Sequence, residues 1–291
     1  MTATTRADAN TSAPVRPRRI WLCADDYGIS LSVNTAIRDL VARGHLNATS
    51  VMVTAPSFCR SEAIALSALN TVSPRVAIGL HLTLTAPFRP LSTNFKPVSE
   101  GIFLPLAAMF LYGVLHRFEH DALTAEIAAQ MQAFREAFGR APDFVDGHHH
   151  VHLFPQIGAA LLDVVRTSVP TAWLRQCGRT APLAARLADR KGLFLDLLSH
   201  RFRRHAAAGG LRTNPGFAGT YDFAEKTDFA AVFPRFLEGL PDGGVVMCHP
   251  GFVDAELRRL DPLTTLREQE YAYFAGETFP VVLANRGFAL A

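Results

Sequence analysis

Four short apolar segments of the chain carry, at or near their ends, residues that can ionise or bind a metal. They are residues 20–24 before Asp25 and Asp26, residues 76–84 around His81, residues 144–145 before Asp146, and residues 244–248 before His249. Short apolar runs between turn-forming residues predict buried β-strands. Segments with helical spacing of apolar residues separate them, and this alternation predicts an α/β fold with a parallel sheet.

The four polar strand ends discriminate between two α/β architectures. In a (β/α) barrel the carboxyl ends of all strands converge on one rim, which would gather these residues into one site. A doubly wound open sheet spreads its strand ends along a line and fits the pattern less well. We therefore predict a TIM-barrel-like (β/α) barrel forming a single domain over residues 20–291, with an insertion at about 86–120. We expect its last elements to be a helix at 266–274 and a strand at 279–283.

Charge and cysteine usage limit the partners and the compartment. The chain of 291 residues has a formal net charge of +3, and residues 1–19 carry four arginines against one aspartate. The remainder is therefore neutral overall, and the pI near 8.8 is no evidence for a nucleic-acid partner. Residues 1–19 lack the apolar core of a secretory signal, and we predict a disordered basic tail; an unusual targeting segment or a mis-assigned start are the alternatives. The four cysteines are dispersed, without a CxxC motif, which fits a reducing cytoplasm.

Three further segments permit more than one interpretation. Residues 102–115 are almost wholly apolar but too short to span a bilayer, so we expect a buried helix, with a lid or a subunit interface as alternatives and no stable membrane insertion. A homodimer is possible on general grounds. The basic segment 183–208 predicts a solvated helix face or, less commonly, a membrane-surface helix. The loop at 213–219 either binds a polyhydroxylated ligand or turns the chain.

The run from Asp146 to His152 contains four of the eleven histidines. On an extended strand, His148, His150 and His152 would face one way and His149 the other. Neutral imidazole is a common ligand for divalent metals, although a polar surface loop or a chance run is the alternative.

Each of the other polar strand ends also has a structural alternative. Asp25 and Asp26 would serve a site or cap a helix, and His81 would be a ligand or a buried core histidine. Arg175, after a short predicted strand, would face the site or form an ion pair at the surface.

One aspartate and two histidines around a divalent cation leave positions open for water and substrate. A second carboxylate would accept a proton from the water, and a histidine would protonate the leaving group or stabilise an oxyanion. This set suits hydrolysis of an amide or ester. It suits phosphate esters less well, because no glycine-rich phosphate loop or arginine clamp accompanies it.

Three motifs together resemble those of the YdjC-like carbohydrate deacetylases, a family that includes chitooligosaccharide deacetylases and hopanoid-associated relatives. They are Ala-Asp-Asp-Tyr-Gly at 24–28, Gly-Leu-His-Leu-Thr-Leu-Thr at 79–85, and Asp-Gly-His-His-His-Val-His-Leu-Phe-Pro-Gln at 146–156. A late His-Pro-Gly at 249–251 also agrees, and the resemblance extends from about residue 20 to the C-terminus. Tyr27 stands where many members have phenylalanine.

The resemblance implies metal-dependent deacetylation of an N-acetylated sugar. It implies Asp26, His81 and His148 as metal ligands, Asp25 as general base, and His249 as acid or oxyanion partner. Asp146 would orient a ligand histidine, and the further candidates for contacts around the ligands or with substrate are His150, His152 and Arg175. The family's metal is described as magnesium or zinc, and an Asp-His-His set favours zinc or another transition metal. The alternatives are another metal-dependent hydrolase on the same barrel, such as a phosphoesterase, and a non-catalytic sugar-binding barrel.

Overall fold

The computed structural model of the protein describes residues 16–70, 75–180, 186, 190–224 and 226–291. Residues 1–15 of the predicted basic tail lie outside these ranges. The first strand, β1, spans Arg18–Tyr27 and starts two residues earlier than predicted. Arg18 pairs in parallel register with Phe288, and its guanidinium lies 4.1 Å from the centre of that ring. The prediction that Arg18 and Arg19 belong to a disordered tail is therefore wrong, because the C-terminal strand pairs with them.

Strands and helices alternate along most of the chain. The other strands are β2 (Ala48–Val51), β3 (Ala77–Leu82), β4 (Val98–Ser99), β5 (Ile102–Phe103), β6 (Phe144–Gly147), β7 (Trp173–Leu174), β8 (Phe217–Ala218), β9 (Gly244–Cys248) and β10 (Phe288–Leu290). The helices are α1 (Leu31–Ala42), α2 (Arg60–Ala68), α3 (Leu106–Val114), α4 (His120–Phe138), α5 (Pro155–Ser168), α6 (Arg190–Ala208), α7 (Phe229–Phe236), α8 (Ala255–Leu260), α9 (Thr265–Ala275) and α10 (Thr278–Asn285).

The main sheet has the strand order β7-β6-β3-β2-β1-β9-β8, and every pairing within it is parallel. Two isolated parallel bridges, Leu174 to Thr213 and Arg179 to Phe217, connect the end of β7 and the residues that follow it with the chain around β8. The two edges of the sheet thus approach each other, and the sheet curls into a TIM-barrel-like (β/α) barrel, as predicted. Parallel pairing places the carboxyl ends of all these strands on one rim.

The loop predicted at 213–219 helps to close this barrel. It contains β8. The buried side chain of Asn214 accepts a hydrogen bond from the backbone N–H of Gln176 at 2.7 Å and donates one to the backbone carbonyl of Gln176 at 3.0 Å. These bonds give the segment a structural role beyond a simple turn.

Two predicted elements differ in the structure. Residues 279–283 form part of α10 rather than a strand, because Phe279 and Leu283 are four residues apart and bury one helical face. The apolar segment 102–115 comprises β5 and α3, and burial is incomplete there: Leu111 is 52% exposed and Leu115 48% exposed. Met109 is fully buried, and Phe110 packs edge-on against Phe154.

The basic segment 183–208 is described only in part, since residues 183–185 and 187–189 lie outside the described ranges. In α6, Arg201, Arg203 and Arg204 are exposed, as expected of a solvated face. Within the described ranges, every helix is too short or too polar to traverse a lipid bilayer.

Gly79 in β3 lies directly beneath the ring of Phe144 in β6, which in turn stacks on Trp173 with ring centres 4.4 Å apart. A methyl group at position 79 would lie 2.4 Å from the Phe144 ring. Overpacking of this kind costs about 1–3 kcal/mol. The close contact fixes the spacing of β3 and β6 two residues before His81.

We predict that Gly79→Ala lowers the free energy of unfolding by about 1–3 kcal/mol in urea denaturation. Adding Phe144→Leu should recover part of the loss, because it removes the clashing ring atoms. Gly209→Ala is the matched control, since its added methyl group would meet no atom closer than 3.5 Å. Equal stability of Gly79→Ala and the wild type would show that the ring of Phe144 can move aside at no cost in stability.

Candidate metal centre

Asp25 and Asp26 occupy an irregular end of β1. The register of β1 against β2 shifts between Ala24 and Tyr27, and Asp26 has a left-handed backbone with φ 69°. In a regular strand, neighbouring side chains would point to opposite faces. The shift in register and the left-handed residue allow both carboxylates to point towards the same rim.

Three buried side chains from three strand ends converge at this rim. The Oδ1 atom of Asp26 lies 3.0 Å from Nδ1 of His148 and 3.3 Å from Nε2 of His81. One candidate ligand atom from each residue lies within 4.8 Å of the others. A carboxylate oxygen and two imidazole nitrogens match the ligands of zinc and related divalent metals, so the donor set fits a metal ion.

A second group of potential ligands, formed by Cys23, Asp25 and Asp146, is equally compact. The guanidinium of Arg175 already lies among them, with Nη2 at 3.0 Å from Cys23 Sγ and 2.6 Å from an oxygen of each aspartate. A cationic side chain therefore occupies the position that a metal would need, and we assign no metal to this group.

Arg175, which follows β7, is fully buried and not at the surface. Its two terminal nitrogens donate to the two oxygens of Asp25, each at 2.6 Å. Ser50 also donates to Asp25, at 3.2 Å. Burial alone would raise the pKa of Asp25, but Arg175 and His81 outweigh it and hold this pKa below its usual value. Asp25 is thus an oriented, ionised carboxylate beside the candidate ligands.

Asp146 contacts one of the candidate ligands. It is the register partner of His81, and its Oδ1 lies 2.6 Å from His81 Nδ1. Burial alone would lower the pKa of His81, but Asp146 and Asp25 raise it to about 10. The aspartates therefore make the electrostatic potential at His81 negative enough to favour its protonated form. A divalent cation bound to His81 would compete with that proton.

The histidine run is not an extended strand, so the prediction that His148, His150 and His152 share one face is wrong. Strand β6 ends at Gly147, and His148–Leu153 forms a 3₁₀ turn in which His149 and His150 have left-handed backbones. This turn connects the end of β6 to α5, which begins at Pro155.

The turn sends the histidine side chains in different directions. Nδ1 of His150 lies 3.5 Å from Cys177 Sγ, and Nε2 of His152 lies 2.9 Å from the carbonyl oxygen of Arg175. Burial lowers the pKa of both, for His150 to about 3, so these rings are neutral. His149 is exposed, with Nδ1 at 3.1 Å from Thr85 Oγ1. Of this run, His148 alone belongs to the candidate ligand group among the described residues.

His249 follows β9 on the same rim. Its backbone N–H donates to the buried Glu270, which also accepts a hydrogen bond from the hydroxyl of Tyr221 at 2.7 Å. The ring is partly exposed and packs edge-on against Phe223. Its Nδ1 is buried and has no hydrogen-bond partner in the described part of the chain, so the exposed part of the ring is what a substrate could meet.

Sequence reasoning missed three residues that contact the site: Ser50, Arg267 and Glu270. Ser50 lies on β2, and its Oγ is 3.0 Å from His81 Nδ1. Arg267 and Glu270 lie on α9, far from every motif, and a sequence pattern gives no sign that a charged helical residue turns inwards. Ser50 was detectable in principle, because it precedes the carboxyl end of a buried strand.

Known proteins provide an independent comparison. A chitooligosaccharide deacetylase of Escherichia fergusonii is 28% identical over 284 residues, covering 94% of this chain and 97% of its own. One of Salmonella newport is 30% identical over 247 residues, covering 81% and 82%. A crystal structure of an Enterococcus faecalis protein, named for a proposed cleavage of cellobiose phosphate, matches with a TM-score of 0.70 at 21% identity. The match covers 94% of this chain and 97% of that one, and it shows a shared fold.

The family model of the YdjC-like proteins matches residues 19–285, which include all the candidate site residues described above. The match covers far more than half of the chain. The motifs at 24–28, 79–85 and 146–156 thus lie within one continuous match, and the protein belongs to the YdjC-like family.

Proposed function

We propose that the protein is a metal-dependent carbohydrate deacetylase, which hydrolyses the acetamide of an N-acetylated amino sugar to acetate and a free amine. The convergence of Asp26, His81 and His148 on one buried point, directly beside an ionised Asp25, carries the proposal. The chitooligosaccharide deacetylases among its relatives support an N-acetylated oligosaccharide or glycoconjugate as substrate.

We assign the metal to Asp26, His81 and His148. A divalent cation held there would polarise the acetyl carbonyl and make a water molecule more acidic. The ligand set favours zinc or another transition metal over magnesium, because two of its three donors are imidazoles. Asp146 fixes the orientation of His81 through the 2.6 Å contact at Nδ1, which leaves Nε2 directed at the metal position.

Asp25 is the general base in this proposal. A carboxylate has about four positions at which it can accept hydrogen bonds. Arg175 occupies one on each oxygen, and Ser50 occupies a second on Oδ1. Among the described residues, the second position on Oδ2 has no donor, and it is where Asp25 would accept the proton of the attacking water.

His249 completes the reaction. As the water oxygen bonds to the acetyl carbon and the C–N bond breaks, the departing nitrogen needs a proton to leave as an amine. The partly exposed ring of His249 at the rim supports this residue as the donor, and its backbone contact with Glu270 holds it there.

Asp25→Asn should reduce acetate release from N-acetylated chitooligosaccharides by about 10²–10⁴-fold, because the amide cannot accept the proton. Bound metal, measured by elemental analysis, should be unchanged, since Asp25 is outside the ligand group. Full turnover in Asp25→Asn would exclude Asp25 as the base. Phosphate esters tested in parallel distinguish the alternative phosphoesterase, and tight sugar binding without turnover would indicate a binding module.

Dialysis against a chelator should abolish acetate release, and stoichiometric Zn²⁺ should restore it. His148→Ala should bind zinc far more weakly, whereas His150→Ala, in the same turn but directed at Cys177, should bind it nearly as well as the wild type. Activity that persists after complete removal of divalent metals would contradict the proposal.

Arg175→Met should lower the free energy of unfolding by about 3–5 kcal/mol, because it leaves two buried carboxylates without their cation. Adding Asp25→Asn should recover part of this loss by removing one of the uncompensated charges. Arg166→Met removes an exposed ion pair with Asp163 and should change stability by less than about 1 kcal/mol. A loss in Arg175→Met as small as in this control would show that water reaches the two carboxylates.

A further inference from the structure

Arg267 joins the candidate metal centre to helix α9. Its side chain is fully buried, and its Nη2 atom lies 2.6 Å from Oδ2 of Asp26 and 2.8 Å from Oδ2 of Asp261. Its Nε donates to the carbonyl oxygen of Leu263 at 2.9 Å. The guanidinium is therefore fixed at more than one atom, and Asp26 cannot rotate without losing a buried ion pair.

The two oxygens of Asp26 thus have different surroundings. Oδ2 is held by Arg267, whereas Oδ1 faces His148 and His81 at 3.0 and 3.3 Å. A free carboxylate can bind a metal through one or both oxygens. We propose that Arg267 is a positioning residue, which restricts Asp26 to one metal-binding oxygen and thereby sets the affinity and coordination of the metal. This inference rests on the metal centre proposed above.

The His-Pro-Gly segment packs beside Arg267. A methyl group at Gly251 would lie 3.5 Å from Cβ and Cδ of Arg267, and 2.9 Å from a methyl group of Val33. The backbone N–H of Gly251 also donates to the carbonyl oxygen of Arg267 at 3.0 Å. The stem of Arg267 therefore passes close beside a residue that has no side chain.

Helix α9 contacts the site at two residues. Arg267 holds Asp26, and Glu270, three residues later on the same helical face, accepts the backbone N–H of His249. Asp261, just beyond the end of α8, balances part of the positive charge of Arg267. The charge on Arg267 alone would repel a metal ion, and the orientation that Arg267 gives Asp26 offsets this repulsion.

Arginine suits this position better than lysine would. One terminal nitrogen of the planar guanidinium donates hydrogen bonds to two aspartates, while Nε donates to a backbone carbonyl. The ammonium group of lysine is instead a single point of charge on a flexible stem. Arg267→Lys should therefore preserve the ion pair with Asp26 but lose part of its orientation.

The test compares Zn²⁺ affinity of the metal-free full-length protein with that of Arg267→Met and Arg267→Lys, by competition with a chromophoric chelator. Arg267→Met should bind Zn²⁺ about 10–100-fold more weakly, and Arg267→Lys should be intermediate. Arg258→Met, on the exposed part of α8, is the matched control and should match the wild type. The visible spectrum of bound Co²⁺ should change in shape in Arg267→Met and not in the control, because a released Asp26 changes the coordination.

Equal or tighter Zn²⁺ binding by Arg267→Met, with an unchanged Co²⁺ spectrum, would overturn the role of Arg267 and leave the metal centre intact. Failure of the wild type to bind Zn²⁺ would instead overturn the metal centre, and this role with it. If Arg267→Met does not fold, Asp261→Asn tests the same point, because it releases one anchor and retains the guanidinium. It should weaken Zn²⁺ binding several-fold, and wild-type affinity in both Asp261→Asn and Arg267→Lys would overturn the inference.

Discussion

Placing three aspartates in the interior at one end of a barrel requires buried positive charge close to them. Asp25, Asp26 and Asp146 are each at most 2% exposed, and an isolated carboxylate in such a position would take up a proton instead of remaining ionised. Arg175 is shared by Asp25 and Asp146, and Arg267 pairs with Asp26. Both arginines are fully buried, so their own desolvation is tolerable only because each has carboxylate partners. The site therefore depends on a set of opposite charges that the barrel must assemble together.

The barrel and much of the site could be predicted because the relevant signals are local. Apolar runs that end in or near Asp25-Asp26, His81, Asp146 and His249 mark strands whose carboxyl ends form the candidate site, and parallel pairing brings those ends to one rim. The same reasoning failed at residues 279–283, where a five-residue apolar run suggested a strand. The four-residue spacing of Phe279 and Leu283 fits one face of a helix, and the structure buries them in that way.

Features that depend on tertiary contacts could not be predicted. The sequence predicts that the histidine run continues the strand before it, yet the chain turns after Gly147, and His149 and His150 adopt left-handed backbones although neither is a glycine. Arg267 looks like any charged residue of an amphipathic helix, and only the approach of α9 to β1 turns it inwards. A sequence pattern reveals which apolar residues of a helix are buried. It does not reveal which charged side chain of that helix is also buried and pairs with a carboxylate.

The difference between two neighbouring aspartates follows from their arginines. Asp25 and Asp26 have the same chemistry and adjacent positions, and the irregular end of β1 brings both to the rim. Arg175 meets both oxygens of Asp25 from the side of β7, which leaves its remaining lone pair for a proton. Arg267, on α9, meets one oxygen of Asp26 and leaves the other facing two imidazoles. The contacts of each guanidinium therefore support the proposed roles, in which Asp25 accepts a proton and Asp26 binds a cation, and the paired residues Asp25-Asp26 alone do not specify this division.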